Sequence, residues 1–253
     1  MKVKFDNFTF KYDLGARHRV GSASPNLKFG SQKRGNMIDD VIQGVYDNRV
    51  IAIIRGMEPD ICVKLADAFY KGGIRMVEVT FNQAKPDALY KTADAIRTIR
   101  ENFGADMFVG AGTVLTKEQL TLCRDAGGQF MVTPNVKEQL IADCIQMGLA
   151  AMPGAFTATE AVNAYDAGAS FVKIFPAGNM GPGYVKALRA PLSHIPMLAV
   201  GGIGPDNIAS YIKAGCVGAG VGGNLTNKEW IAAGEWDKIT AVAKQLTENA
   251  MNA

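Results

Sequence analysis

Phe171-Val172-Lys173-Ile174-Phe175-Pro176 is the stretch on which the reading of the fold turns. Five of its six residues are apolar and two are β-branched, which predicts a short buried strand. Alternation sets Phe171, Lys173 and Phe175 on one face and Val172 and Ile174 on the other. Apart from the lysine, both faces are apolar, the pattern of a parallel strand covered on both sides. The lysine is out of place. An ammonium buried without a partner is strongly unfavourable, so such a group lowers its pKa or finds a carboxylate. A neutral amine in an apolar slot is the nucleophile of Schiff-base chemistry. The alternative is a lysine that snorkels to the strand end.

Outward from this strand the same unit repeats. Short apolar runs lie at 50–55, 74–80, 107–112, 129–133, 149–152, 170–175, 196–200 and 216–221, and amphipathic stretches separate most of them. In the first stretch Ile61, Leu65 and Phe69 share a helical face. Thr116-x-x-Gln119, Asn135-x-x-Glu138 and Thr157-x-x-Glu160 are each expected to form a capping box. Gly72-Gly73, Gly127-Gly128, Gly148, Gly168 and Gly215 sit where helices should stop. The sixth helix is expected to be short and glycine-flanked, around 182–190. Eight near-equal strand–helix units over residues 37–253 predict the α/β class and a (β/α)8 TIM barrel. A doubly wound open sheet would also alternate, but equal units favour closure.

The chain has 253 residues, 48% hydrophobic and 20% charged, an ordinary globular composition. The net charge of +3 is unevenly spread: residues 1–36 hold eight of the 27 basic and two of the 24 acidic residues, which leaves 37–253 at −3. A mildly acidic body gives no support to a nucleic-acid surface. Residues 1–36, basic and Gly/Ser/Asn-rich after Tyr12, are read as an irregular extension. No apolar run approaches the roughly 18 residues of a membrane span, and the N-terminus lacks a secretory apolar core. Cys62, Cys123, Cys144 and Cys216 form no CxxC pair, so reduced thiols and a cytoplasmic location are expected. The histidines are His18 and His194. A histidine-rich metal site is therefore not expected, and neither a metal nor another cofactor is required.

The polar residues fall near strand ends. Arg55 shares a face with Ile51 and Ile53, Glu78 with Met76 and Thr80, and Lys173 with Phe171 and Phe175. Thr113 is expected to continue the inward register of Val109 and Ala111. The second and sixth strands of an eight-strand barrel are roughly opposite, so Glu78 and Lys173 are expected to face each other. Three charges inside an apolar barrel are costly even when paired, which points to catalysis rather than packing. Gly201-Gly202-Ile203-Gly204 and Gly218–Gly223 follow the last two strands, where such barrels bind phosphate through backbone N–H groups. They could equally be tight turns that need positive φ.

IAIIRG at 51–56, VEVT at 77–80, VGAGTVL at 109–115, VTPN at 132–135, MPGAFT at 152–157, VKIFPA at 172–177, GPGYVKAL at 181–188 and AVGGI at 199–203 stand in an order that resembles one family. From about residue 44 to 246 the chain resembles the 2-keto-3-deoxy-6-phosphogluconate / 4-hydroxy-2-oxoglutarate aldolases, class I lyases on a (β/α)8 barrel. The resemblance implies that Lys173 forms a Schiff base with pyruvate and that Glu78 is the general acid/base. It also implies that Arg55 and Thr113 hold the pyruvate carboxylate, and that Pro134 and Phe175 line the pocket. The 200–204 and 221–224 loops, with Gly201, Gly202, Gly222 and Gly223, would take a distal phosphate, and the subunits would form a homotrimer. Two positions depart from the phosphogluconate members. Val200 stands where threonine is usual before the Gly-Gly pair, as in the related 6-phosphogalactonate aldolases, and Gly223 stands where a serine is common. The implied activity is cleavage of a 2-keto-3-deoxy-6-phospho sugar acid. The other readings are cleavage of 4-hydroxy-2-oxoglutarate, a phosphate-barrel synthase or isomerase with no covalent adduct, and a barrel kept as a binding module.

Overall fold

Short β-branched runs ended by turns, alternating with amphipathic segments ended by glycine, build a ring of parallel strands inside a ring of helices. The computed structural model describes residues 37–85 and 88–253; the extension expected at 1–36 lies outside the described residues. The strands are β1 (Val50–Arg55), β2 (Met76–Thr80), β3 (Phe108–Gly112), β4 (Phe130–Val132), β5 (Ala150–Met152), β6 (Gly154–Ala155), β7 (Val172–Ile174), β8 (Met197–Val200) and β9 (Gly218–Val221). The helices are α1 (Met37–Asn48), α2 (Pro59–Lys71), α3 (Leu89–Phe103), α4 (Lys117–Asp125), α5 (Glu138–Gln146), α6 (Ala158–Asp166), α7 (Ala177–Arg189), α8 (Ile208–Lys213), α9 (Lys228–Ala233) and α10 (Trp236–Met251).

The sheet order is β5-β4-β3-β2-β1-β9-β8-β7-β6, and every pairing is parallel. Its two ends are halves of one extended segment, so the ring closes through Pro153. Across that seam the Ser170 N–H donates to Ala151 O (2.9 Å) and the Lys173 N–H to Pro153 O (2.9 Å). The nine strands are therefore eight barrel strands, the fifth broken at a proline that has no N–H for the ladder. This is the (β/α)8 barrel expected from the spacing, not an open doubly wound sheet.

Alternation sorts the strand residues into two apolar layers. Ile51, Met76, Phe130, Ala150, Met152, Phe171, Leu198 and Val200 fill the barrel interior, joined from below by Val41 and Val45 of α1. Ala52, Ile54, Val77, Val79, Val109, Ala111, Val172, Ile174 and Ala199 face outward and pack with the helices. The two capping boxes at Thr116/Gln119 and Thr157/Glu160 are present. Of the expected terminating glycines, Gly73, Gly127, Gly148, Gly168 and Gly215 take positive φ, from 77° at Gly148 to 107° at Gly215, whereas Gly72 (φ −82°) and Gly128 do not.

The expected box at Asn135 is absent. Helix α5 starts at Glu138, so its N-cap is Lys137, which makes no side-chain cap. The glutamate thus falls at the first helical position, two short of where it could reach back to an N-cap N–H. Helix α7 starts at Ala177, before the expected 182, because the short turn after Pro176 joins it across a non-helical Gly181 (φ 77°, ψ 168°) to the Pro182 segment.

Candidate active site

One cavity of about 1030 Å³ opens at the C-terminal ends of the strands. Its walls include Arg55, Glu78, Thr113, Pro134, Lys173, Phe175, Val200, Gly201, Gly202, Gly222 and Gly223, all the residues singled out in the sequence. Topology explains why. Parallel strands in a barrel point their C-terminal ends the same way, so residues far apart in the chain meet at one mouth.

Glu78 and Lys173 form its floor. Glu78 lies mid-strand in β2 and Lys173 mid-strand in β7, on the inward register of Met76 and Phe171. They are 3% and 7% exposed, among the few polar side chains buried in the barrel. Burial lowers the Lys173 pKa; Glu78 opposes this and Arg55 reinforces it. Burial raises the Glu78 pKa, opposed by Lys173 and Arg55. Desolvation thus moves both groups toward their uncharged forms, a free amine beside a carboxylic acid. The Lys173 Nζ lies 4.8 Å from the centre of the Phe175 ring. Phe175 is 37% exposed and forms part of the cavity rim.

Two expectations about the polar set are corrected. Arg55 is not buried: it ends β1 and is exposed. Its charge acts on the pair from the mouth, where water offsets the cost of keeping it. Thr113 does not continue the inward register of Val109 and Ala111, which face outward. The inward positions of β3 are Phe108, Gly110 and Gly112. Thr113 reaches the cavity from the first position after the strand, by a left-handed backbone with φ 54°. Alternation ends with β3 at Gly112, and the left-handed backbone at Thr113 turns toward the cavity a residue whose parity alone would face it outward.

The glycine turns are tight and carry a specific geometry. Gly201 (φ 90°) and Gly202 (φ 73°) are consecutive left-handed residues. A Cβ at Gly201 would stand 3.1 Å from the Phe175 ring, and one at Gly178 would stand 2.6 Å from Gly201 O. The Gly178 N–H donates to that oxygen (2.7 Å). The Gly204 N–H is occupied by Asn207 Oδ1 (2.9 Å), whose amide donates to Gly202 O (2.9 Å). Asn224 Nδ2 donates to Ile203 O (3.3 Å), tying the two turns together. The Gly222 carbonyl accepts from the Leu225 and Thr226 N–H groups and the Thr226 hydroxyl. Asn224, Thr226 and Lys228 also line this side of the cavity; Asn224 falls in the 221–224 loop expected to take the phosphate, whereas sequence reasoning did not single out Thr226 and Lys228. No spacing signal marks Thr226 in its loop or Lys228 at the first position of α9.

Among the described residues no cluster of three or more His, Cys, Asp or Glu could hold a metal ion. The four cysteines are free and buried. Burial pushes the thiols of Cys62, Cys123 and Cys216 up to about 12. Among the described residues no helix is long and apolar enough to cross a membrane.

Comparison with known proteins agrees with this geometry. The family model for the KDPG and KHG aldolases matches residues 41–242. The chain is 41% identical over 177 residues to 2-dehydro-3-deoxy-6-phosphogalactonate aldolase of Escherichia coli strain K12, covering 70% of this chain and 83% of that one. It is 37% identical over 201 residues to 2-dehydro-3-deoxy-phosphogluconate aldolase of Treponema pallidum strain Nichols, covering 79% and 92%. The solved native KDPGal structure superposes with a TM-score of 0.72 at 36% identity, over 80% of this chain and 94% of that one. With the barrel, the lysine and glutamate buried at one cavity and these matches in agreement, the chain belongs to the KDPG and KHG aldolase family of carbon–carbon lyases.

Proposed function

We propose that this protein cleaves a 2-keto-3-deoxy-6-phospho sugar acid, of gluconate or galactonate type, to pyruvate and glyceraldehyde 3-phosphate through a Schiff base on Lys173. The observation that carries the reading is the burial of Lys173 and Glu78 together at the floor of one cavity, each moved toward its uncharged form. A neutral amine attacks a keto carbon, and a neutral carboxylic acid can donate the proton that the departing oxygen needs.

The steps follow from these positions. The Lys173 amine adds to C2 of the keto acid, and Glu78 protonates the carbinolamine oxygen, which leaves as water. The iminium that remains withdraws electrons. Glu78, now a carboxylate, takes the proton of the C4 hydroxyl, directly or through water. The C3–C4 bond breaks, its electron pair forms an enamine, and the C4 end departs as an aldehyde. Protonation of the enamine at C3 and hydrolysis of the pyruvate iminium restore Lys173. Arg55 at the mouth and Thr113 beside it are assigned to the pyruvate carboxylate, which an arginine can hold bidentately. The glycine turns at 201–202 and 222–223 are assigned to the phosphate. A cavity of about 1030 Å³ has room for a six-carbon phosphorylated acid, well beyond what pyruvate alone needs.

The buried free thiols suit a reducing, cytoplasmic setting. A homotrimer is the assembly proposed. One structural relative, 35% identical with a TM-score of 0.71, is a designed cage made by fusing symmetric oligomeric domains.

Trapping tests the covalent step. Pyruvate with borohydride should inactivate the enzyme and label Lys173, and Lys173→Met should abolish both label and turnover. Labelling at another residue, or turnover in that variant, would overturn the reading. A panel of phosphorylated and unphosphorylated 2-keto-3-deoxy acids, with 4-hydroxy-2-oxoglutarate included, identifies the substrate.

A further inference from the structure

Thr113 holds a conformation that its side chain disfavours. A β-branched residue at φ 54° is a genuine outlier, and such a residue persists only where its surroundings over-determine it. The surroundings are explicit. Gln83, in the loop after β2, donates from Nε2 to Thr113 O at 2.7 Å. Gln83 Oε1 accepts from Gln119 Nε2 at 3.0 Å. Gln119 Oε1 accepts from the N–H groups of Leu115 (2.7 Å) and Thr116 (3.3 Å). Gln119 is 4% exposed and is the N3 residue of the α4 capping box.

The polarity of this chain of amides is fixed from both ends. The Leu115 and Thr116 N–H groups can only donate, so the Gln119 oxygen must face them and its NH2 must face Gln83. The Thr113 carbonyl can only accept, so the Gln83 NH2 must face it and its oxygen must face Gln119. One arrangement satisfies every group. The loop that carries Gln83 is itself held: the Phe81 N–H donates to Gly112 O (2.9 Å), one step past the β2–β3 ladder, and Asn82 Oδ1 accepts from the Ala84 N–H (3.0 Å).

We propose that Gln83 and Gln119 are positioning residues that lock Thr113 in its left-handed conformation, so that the site is preorganised for the carboxylate of the keto acid. This rests on the assignment of Thr113 to that carboxylate. The strut reaches from the helix cap of α4 to the cavity wall without its two glutamines lining the cavity. It should therefore govern affinity for the keto acid and leave the chemistry at Lys173 alone.

The test compares Gln83→Leu, Gln119→Glu, the double variant and Thr113→Ala with the parent enzyme. Gln119→Glu keeps an oxygen for the cap, as the usual capping-box residue does, but turns an acceptor toward the Gln83 oxygen. The rate of Lys173 labelling by pyruvate with cyanoborohydride is measured against pyruvate concentration, alongside kcat, KM and the thermal midpoint. Both single variants should raise the half-saturating pyruvate concentration by about five- to tenfold, what one lost hydrogen bond carries. The limiting labelling rate and kcat should stay near the parent's, while the midpoint should fall most in Gln119→Glu, which places a carboxylate at a 4% exposed position. The double variant should be no worse than the more impaired single one, because both break the same strut. Replacing Gln83 by arginine in the Gln119→Glu background supplies donors to both partners and should recover part of the affinity. Half-saturation within twofold of the parent in both single variants would overturn the proposal, and so would a limiting rate that falls together with the midpoint. Thr113→Ala separates the two readings: if it leaves half-saturation unchanged, the assignment of Thr113 fails whatever the glutamines do.

Discussion

Gly112 and Glu78 share one patch of the barrel interior. A Cβ on Gly112 would stand 2.8 Å from Glu78 Oε1, 2.9 Å from its Cδ and 2.8 Å from Thr80 Cγ2. The register explains the crowding, since Gly112 pairs with Thr80 and Gly110 with Glu78 across the β2–β3 ladder. Two inward positions of β3 are glycine, and the space they release is taken by Phe130 and by the carboxyl of Glu78. The Glu78 carboxyl therefore occupies space that the missing side chain of its neighbour leaves open.

Gly112→Ala should displace the Glu78 carboxyl without touching it chemically. If Glu78 is the acid/base, Glu78→Gln lowers kcat by roughly 10²–10⁴, and Gly112→Ala should lower it in the same direction by a smaller factor. Both proteins should still form the pyruvate adduct slowly. Steady-state kinetics with a thermal midpoint for each variant checks this. A folded Gly112→Ala enzyme with the parent's kcat would show that the carboxyl position is not limiting.

Adduct formation should depend on pH with a sign that the charges set. Only the neutral amine attacks, so labelling of Lys173 rises with pH through its pKa. Burial lowers that pKa, Glu78 raises it and Arg55 lowers it further. Glu78→Gln removes a raising influence and should move the midpoint of the profile to lower pH. Arg55→Gln removes a lowering one and should move it to higher pH. The quantity to read is the midpoint of labelling with cyanoborohydride at pyruvate well below saturation, which reports Lys173 in the free enzyme, since each variant also changes amplitude. Shifts in the same direction would mean that Lys173 does not sense these two charges.

The strands were legible because a parallel barrel leaves a strong local mark: short runs apolar on both faces, each followed by an amphipathic stretch and a glycine. The eight predicted runs coincide with the barrel strands to within two residues at each end, except the fifth, where Pro153 splits one strand into β5 and β6. Glu78 and Lys173 were legible for the same reason, as charges at inward positions of apolar runs. Thr113 was found as a residue but not as a geometry, because its φ of 54° is imposed by partners at positions 83 and 119 that no local pattern announces. Thr226 and Lys228 were missed because their place at the cavity comes only from tertiary packing. The Arg55 position was right and its burial wrong, since a strand's last residue escapes the core that its predecessors enter.

Helix α1, not the segment before it, should be the N-terminal limit of what folding needs. The cavity-lining residues run from Ile53 to Ala232, and Val41 and Val45 are buried in the barrel interior. A chain beginning at Met37 is expected to fold and to keep the full-length kcat/KM. A chain beginning at Val50 loses both valines, each worth about 1.5–3 kcal/mol of burial, and should unfold at clearly lower denaturant. Urea titrations of the three lengths decide it. Loss of folding or turnover on removing residues 1–36 would overturn this prediction.

Val200 and Gly223 should together set which epimer is cleaved and how much its phosphate helps. Val200 is 6% exposed and ends β8 at the cavity wall, immediately before the Gly201-Gly202 turn. Threonine has nearly the same shape and adds a hydroxyl that can pair with a substrate hydroxyl. A site built to make that bond rejects the epimer that cannot, whereas a valine offers only methyl groups. The parent enzyme should therefore discriminate weakly between C4 epimers or favour the galacto-configured acid, and Val200→Thr should shift the ratio toward the gluconate type. Gly223 differs in that it lacks a side chain altogether. A Cβ there meets nothing within 4 Å, and its φ is not positive, so serine fits without strain. Gly223→Ser should lower KM for phosphorylated substrates only, by up to the roughly 1.5–3 kcal/mol that a hydrogen bond to a charged group carries. The deciding measurement is kcat/KM for both epimers, with and without the 6-phosphate, in the parent and the two variants. If the parent already strongly prefers the phosphogluconate epimer and Val200→Thr leaves that ratio unchanged, position 200 does not read the C4 hydroxyl. If Gly223→Ser changes unphosphorylated substrates as much as phosphorylated ones, the 222–223 turn does not hold the phosphate.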